Sequence, residues 1–153
     1  MSAKLRLTAP DLTRQPPRST RARLGGFNLL PRILDKCRAT LAGVNGEYQF
    51  ACPLDERFFD FVGIDPKDFK KQVAKGHGDG AMLDWVNQRA RHQHTQPEIV
   101  AWSAWGETRP PVDCEGREYF NEIHQRIAPK REDIASWFDL LDLDDYVSFG
   151  GKP

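Results

Sequence analysis

The sequence has 153 residues, which is enough for one domain with a substantial buried core. Its 39% apolar residues and four tryptophans exclude a disordered chain, and its 29% charged residues indicate a well-solvated surface. No apolar run resembles a signal peptide or reaches the ~18 residues of a membrane span, so we expect a cytoplasmic protein with no membrane partner. The three widely spaced cysteines predict reduced thiols rather than a disulfide framework.

The net charge is zero, but the charges are divided unevenly along the chain. Residues 1–40 hold nine basic and two acidic side chains, whereas the remaining residues hold thirteen basic and twenty acidic ones. Residues 132–145 contain six carboxylates and no basic group. This division predicts that the basic N-terminal region docks against the acidic C-terminal one, and binding of an anionic partner such as a nucleic acid is the alternative. A neutral chain lacks the basic excess typical of nucleic-acid-binding proteins, which favours the internal pairing.

The first segment contains three prolines within 18 residues. Proline lacks an amide donor and disfavours helical geometry in the residue before it. We therefore expect an extended N-terminal arm over residues 1–18 and a single domain over residues 19–153. Ser19 is placed to cap a short helix that ends at Gly25 and Gly26.

Apolar residues then recur at helical spacing from Leu29 to Leu41. Pro31 is tolerable only in the first turn of this helix, and Gly43 is a suitable stop. The next segment, residues 44–52, alternates apolar and polar side chains around an Asn-Gly pair. Such a pattern allows a small β-hairpin there.

Two further helices follow, each opened by a proline. Pro53 begins the first, which stops at Gly63. Asp65 and Pro66 suit the cap and the first position of the second. The apolar residues of both helices recur at the 3.6-residue period, which places them on one face.

Residues 75–80, KGHGDG, alternate glycine with polar or charged residues. A phosphate-binding glycine loop follows a strand, whereas a helix precedes this segment, so we interpret it as a connector in which Gly76 ends one helix and Asp79 caps the next. The alternative is a helix-hairpin-helix turn that presents amides to a nucleic-acid phosphate, although His77 stands where that motif has an apolar residue. The residues of this phosphate or nucleic-acid site would be Arg18, Arg21, Arg23, Lys70, Lys71 and Lys75.

The second half of the chain predicts three more helices. Thr95 and Glu98 form a capping box before the first, which stops at Gly106. Apolar residues at helical spacing mark the second over residues 119–127 and the third over residues 134–141. The histidines of the chain have no Cys or His partner at ligand spacing, so we predict no metal site and no cofactor.

The loop after the capping-box helix contains the best candidate for a small-molecule site. Trp105, Glu107 and Arg109 lie within five residues, and arginine suits planar anions while tryptophan suits stacking. The alternative interpretation is a core tryptophan beside an arginine that pairs with a neighbouring acid.

Several segments also resemble a known family: DLTRQPPRS, RLGG, LLPRILDK, CPLDERF, GIDP and WFDLLDLDDYVSFGGKP. Over residues 11–153 the sequence resembles a bacterial family of about this length that is known only as a domain of unknown function. The resemblance implies a single domain, and it carries over no activity, ligand or catalytic residue.

We predict an all-α domain, a compact bundle of about six to eight short helices with one possible hairpin. Neither G-x-S-x-G nor a Cys-His signature is present, so no catalytic residue is assigned. The first functional hypothesis is a non-catalytic interaction or regulatory module that recognises a protein partner. The second is nucleic-acid or phosphate binding through the basic N-terminal region and the turn at Lys75. The third is an enzyme with a small-molecule pocket near Trp105 and Arg109.

Overall fold

The computed structural model describes residues 9–153, and seven segments of that range are α-helical. In chain order they are α1 (Leu30–Ala42), α2 (Pro53–Val62), α3 (Pro66–Val73), α4 (Asp79–Arg89), α5 (Gln96–Glu107), α6 (Cys114–Ile127) and α7 (Trp137–Ser148). The predicted all-α fold is confirmed. None of these helices is both long and apolar enough to cross a membrane. Residues 1–8 of the predicted arm lie outside the described residues.

Most helix boundaries lie where local chemistry places them. Gly43 and Gly63 end α1 and α2 in the left-handed conformation, with φ of 71° and 69°. The Asp65 carboxylate accepts a hydrogen bond from the Lys67 amide at the start of α3. Thr95 forms the predicted capping box at the start of α5.

The hairpin predicted for residues 44–52 is wrong, because this segment consists of turns and contains no strand. The Tyr48 amide donates to the Asn45 carbonyl, at an N–O distance of 3.0 Å, and closes a turn around the Asn-Gly pair. Phe50, whose alternation suggested a strand, instead packs its ring on Phe69, with ring centroids 6.1 Å apart. The apolar alternation therefore reflects packing against the helices rather than strand pairing.

The short helix predicted to run from Ser19 to Gly26 is also wrong. Gly25 and Gly26 both have positive φ, and the chain turns there through an isolated antiparallel bridge between Leu24 and Phe27. The Ser19 hydroxyl accepts a hydrogen bond from the amide two residues later and donates one to the α7 carboxylate of Asp142. This serine therefore links the N-terminal segment to the last helix.

Buried side chains form two apolar clusters. The larger one joins α1 to α5 through residues such as Phe58, Phe59 and Phe69, each at most 2% exposed. The smaller one joins α6 to α7 around Phe120. Helix α7 also packs against α5, so the two clusters belong to one connected body.

Helix α1 lies at the centre and is buried on all sides from Leu30 to Ala39. Its sequence predicts one apolar face, yet its charged residues are buried as well. Each of them has a partner of opposite charge on another segment: Arg32 with Asp145, Asp35 with Arg18, Lys36 with Asp55 and Arg38 with Asp79. Such pairing is the condition under which charged side chains can be buried.

The predicted docking of the basic N-terminal region against the acidic C-terminal region is confirmed. The Arg21 guanidinium binds the carboxylates of Asp139 and Asp142 on α7. The Arg32 guanidinium binds Asp145 one turn further along α7, with a nitrogen–oxygen distance of 2.7 Å. Arg21 and Arg32 therefore connect the N-terminal half of the chain to three carboxylates of α7.

Candidate functional site

The KGHGDG segment connects α3 to α4, and Gly76 has the predicted left-handed conformation, with φ of 83°. Asp79 is not the helix cap, however, because Gly78 occupies that position and α4 begins at Asp79. The Asp79 carboxylate instead accepts hydrogen bonds from Arg18 and Arg38, at nitrogen–oxygen distances of 2.7 and 2.8 Å. These partners lie 61 and 41 residues away in sequence, where local patterns cannot reveal them.

The predicted phosphate or nucleic-acid residues do not form one free cationic surface. The three arginines bind carboxylates of this chain: Arg18 binds Asp79, Arg21 binds Asp142 and Arg23 binds Glu107. Lys70 and Lys71 lie in the last turn of α3, and Lys75 follows that helix. The positive charge of the arginines is therefore compensated within the protein.

Two of the three residues of the predicted small-molecule site come together. The Arg109 guanidinium lies over the Trp105 ring, with its central carbon 4.8 Å from the ring centroid. Trp105 is 55% exposed, so part of its ring is open to solvent. The Glu107 carboxylate, in contrast, binds Arg23 at a nitrogen–oxygen distance of 2.8 Å and is turned to a different partner.

A stack of three aromatic rings positions this site between α2 and α5. Phe61 of α2 stacks on Trp102 of α5 with a centroid separation of 4.6 Å and on His94 with one of 3.8 Å, both nearly parallel. Trp105 follows Trp102 by about one helical turn, and Arg57 precedes Phe61 by about one turn. The stack therefore joins α2, which carries Arg57, to α5, which carries Trp105.

Arg57 is a candidate site residue that the sequence did not indicate. One of its terminal nitrogens, Nη1, is completely buried and has no hydrogen-bond acceptor among the described residues. Burial and, to a smaller extent, the positive charge of Arg109 lower the pKa of Arg57 to about 10. The Arg109 guanidinium is therefore close enough to affect the pKa of Arg57. Neither group is bound to a carboxylate in the described part of the chain.

The sequence around Arg57 contains a misleading signal. Asp60 follows it by three residues on α2, a spacing that favours an ion pair on a helix surface. In the structure Asp60 is exposed and makes no salt bridge with Arg57. The Arg57 side chain is instead partly buried, and its Nη1 is inaccessible to solvent.

The backbone on which Arg109 lies is held at several points. The Trp137 amide at the start of α7 donates to the Arg109 carbonyl at 3.1 Å. Within α5, the Ser103 hydroxyl donates to the Gly26 carbonyl at 2.6 Å and accepts from the Asn28 backbone amide at 2.9 Å. The C-terminal end of α5 is therefore fixed to both the N-terminal segment and the last helix, which preorganises the site.

The arrangement offers groups that can bind an anion. It supplies hydrogen-bond donors, two positive charges and an exposed flat ring, a combination that matches an oxyanion attached to an apolar group. Within residues 9–153, no three His, Cys, Asp or Glu side chains lie close enough together to hold a metal ion.

Comparison with known proteins places the chain in a family. A search of curated proteins finds no match. The model of the DUF5069 family, described as a domain of unknown function, matches residues 14–147, which include both arginines of the site and the whole helical body up to α7. The chain therefore belongs to the DUF5069 family.

Proposed function

We propose that this protein is a non-catalytic binding module that recognises an oxyanion, a carboxylate or a phosphate, through Arg57 and Arg109, with Trp105 contacting the group that bears it. The observation that carries the proposal is the buried Arg57 nitrogen without an acceptor, beside a second guanidinium. Every arginine of α1 and of residues 18–23, by comparison, binds a carboxylate.

The electrostatics of the free site favour an anion. A buried charged donor without an acceptor costs about 1–3 kcal/mol, and a neighbouring like charge adds to that cost. An oxyanion between the two guanidiniums would accept hydrogen bonds from both and would also remove their mutual repulsion. Hydrogen bonds between charged partners are among the strongest in proteins, so binding would turn an unfavourable arrangement into a favourable one.

The surface around the site suits a partner with apolar character. Trp105, Val112 and Tyr119 are large apolar side chains that are at least 55% exposed. Tyr119 lies near Trp137, whose backbone holds Arg109. Tryptophan, tyrosine and arginine are the residues enriched at the centres of protein interfaces, which supports the hypothesis of an interaction module.

The test uses two aromatic anions and one aromatic cation as probes. We expect benzoate or phenyl phosphate, added to isotope-labelled protein, to shift the NMR signal of the Trp105 indole N–H, whereas benzylamine leaves it unchanged. The anion that acts at the lower concentration identifies the oxyanion as carboxylate or phosphate. Arg57→Met should abolish the shift, and the matched control Arg14→Met, which changes an exposed arginine outside the site, should retain it. An unchanged Trp105 signal with both anions, or a full response in Arg57→Met, would contradict the proposal.

A stability measurement provides an independent test. Because the pKa of Arg57 is lowered on folding, its charged form is less favourable in the folded protein than in the unfolded one. Arg57 is partly exposed, so solvent screens much of this effect, and we expect Arg57→Met to raise the free energy of unfolding at pH 7 by only about 1 kcal/mol in urea denaturation. Arg32→Met is the contrasting variant, since it removes a partner from the buried Asp145 and should lower that free energy by about 3–5 kcal/mol. A marked loss of stability in Arg57→Met would show that the arginine has a structural role.

Nucleic-acid binding through the basic residues near Lys75 is the second candidate. Lys70, Lys71 and Lys75 form no salt bridge in the described part of the chain, which leaves their charges available. Affinity for a DNA or RNA oligonucleotide that falls steeply with added salt would support it, because counterions are released on binding. Such binding should be insensitive to Arg57→Met, so the two candidates can be separated.

A further inference from the structure

An open groove of about 600 Å³ lies between α3 and α4, away from the Arg57 site. Asp68 and Gln72 line it from α3, and Trp85 and Arg89 line it from α4. Residues four apart share one face of a helix, so each helix presents a pair of polar or aromatic side chains to the groove. The volume lies within the range of ~300–1,000 Å³ that is usual for small-molecule sites.

Opposite charges line the groove without meeting. Asp65 and Asp68 lie at the N-terminal end of α3, while Arg89 and Arg91 lie at and beyond the C-terminal end of α4. None of the four belongs to a salt bridge among the residues that the structure describes. The Arg91 Nε donates to the Gly63 carbonyl at 2.8 Å, which orients the arginine side chain. The two terminal nitrogens of Arg91 take no part in this hydrogen bond.

A second cavity provides a contrast. It has about 300 Å³ and is lined by charged side chains that neutralise one another: Arg21 with Asp139 and Asp142, and Arg131 with Asp133. The groove between α3 and α4 also has equal numbers of carboxylates and guanidiniums, but they remain apart. Its charges are therefore available to a ligand that has both a positive and a negative group.

Trp85 supplies a rigid apolar surface in the groove. Its ring is half-buried and packs edge-on against Phe69, with centroids 6.2 Å apart and planes at 69°. Phe69 is itself fully buried in the larger core cluster. The indole therefore cannot turn away without disturbing the core, and its remaining surface suits a flat apolar group.

We propose that this groove binds a free amino acid with an aromatic side chain. The ammonium group would contact Asp65 or Asp68, the carboxylate would contact Arg89 or Arg91, and the ring would pack on Trp85. An amine without a carboxylate would pair only with the aspartates, and an acid without an amine would pair only with the arginines. In either case the opposite charges of the groove would stay unpaired. The site shares no residue with the Arg57 surface and is independent of the function proposed for it.

The experiment compares three ligands that differ only in their charged groups. L-Phenylalanine has both, phenethylamine lacks the carboxylate, and 3-phenylpropionate lacks the ammonium group. We expect L-phenylalanine to bind at least tenfold more tightly than either of the others, as measured by isothermal titration calorimetry. Absence of binding by L-phenylalanine at ~10 mM, corresponding to less than about 3 kcal/mol of binding free energy, overturns the proposal, as does equal binding of all three compounds.

Variants locate the binding. Asp68→Asn and Arg89→Gln change exposed residues of the groove, so both proteins should fold normally, and each should weaken L-phenylalanine binding at least tenfold. Asp84→Asn is the matched control, because Asp84 is an exposed acid on α4 that does not line the groove, and it should bind like the parent protein. Undiminished binding in both groove variants would overturn the assignment. Glycine tests the contact between the ligand ring and Trp85. Because glycine has no ring, it should bind more weakly than L-phenylalanine, and equal binding would overturn the assignment of an aromatic ligand.

Discussion

Asp55 illustrates how single residues determine the interior of this protein. Its carboxylate has no exposed surface, and it accepts hydrogen bonds from the Lys36 ammonium at 2.8 Å and from the Ala51 amide at 2.9 Å. Ala51 has a φ of 60°, which is unusual for a residue other than glycine. The Asp55 side chain therefore neutralises a buried cation and also holds a left-handed turn before α2.

We predict that Lys36→Met destabilises the protein by far more than the loss of one hydrogen bond would. It leaves the Asp55 carboxylate buried without its cation, so the free energy of unfolding should fall by about 3–5 kcal/mol. Adding Asp55→Asn should restore much of that loss, because a neutral amide needs no counter-charge and its oxygen can still accept from Ala51. Urea denaturation of both single variants and the double variant forms a double-mutant cycle. Additive losses would show that the pair is not coupled.

At the scale of the elements, glycine in the left-handed conformation ends both α1 and α2, but the two ends have different surroundings. No atom lies within 4 Å of the position that a Cβ would occupy at Gly43. At Gly63, a Cβ would lie 2.7 Å from the His92 ring and 3.1 Å from the Arg91 Cβ. The end of α2 is therefore packed against the segment after α4, as is also shown by the hydrogen bond from the His92 amide to the Val62 carbonyl.

This difference gives a matched pair of substitutions. Gly43→Ala should cost about 1–2 kcal/mol, because only the left-handed conformation is unfavourable for alanine. Gly63→Ala should cost a further ~1–3 kcal/mol, since the His92 ring can rotate away but the Arg91 Cβ moves only with its backbone. Thermal and urea unfolding of the two variants measure the difference. Equal losses in the free energy of unfolding would mean that the segment after α4 moves aside at little energetic cost.

At the scale of the whole molecule, ion pairs between distant segments connect the helices. The pKa of Asp79 is lowered, because its hydrogen bonds with Arg18 and Arg38 outweigh the opposing effect of burial. The pKa of Asp139 is lowered in the same way, by hydrogen bonds with the backbone at Ser136 and with Arg21. These carboxylates link α4 to α1 and the N-terminal segment to α7.

The resulting pH dependence has a definite sign. A carboxylate with a lowered pKa in the folded state stabilises the protein above its ordinary pKa, 3.8 for Asp79, and this contribution is lost as the pH falls through the folded value. Burial raises the pKa of Asp144, so the contribution of Asp144 to stability changes with pH in the opposite direction. The pH dependence that Asp79 causes is therefore measured as the difference between the Asp79 variant and the parent protein. We expect Asp79→Asn to lower the free energy of unfolding at pH 7 by about 1–3 kcal/mol and to have a smaller effect at pH ~3. Urea titrations at both pH values measure this, and an equal effect at the two would contradict it.

Local sequence accounts for most of the helical framework. The signals that begin or end these helices are Pro53, Gly63, Asp65 and the Thr95 capping box. Each affects the backbone within four residues of itself, so its effect is the same in almost any surroundings. The same kind of reasoning was wrong at Ser19, whose hydroxyl binds Asp142, 123 residues away. A local sequence pattern cannot reveal that a distant residue competes for the same side chain.

The candidate site shows the same division. Trp105 and Arg109 are close in sequence and could be recognised together, whereas Arg57 belongs to another helix, which the stacked Phe61 and Trp102 rings join to α5. The sequence by itself determined that the chain is helical and where several of its helices begin or end, because capping and chain stiffness are short-range. Only the tertiary structure decided which charges are compensated and which remain free, because burial and long-range pairing depend on segments that meet far apart along the chain.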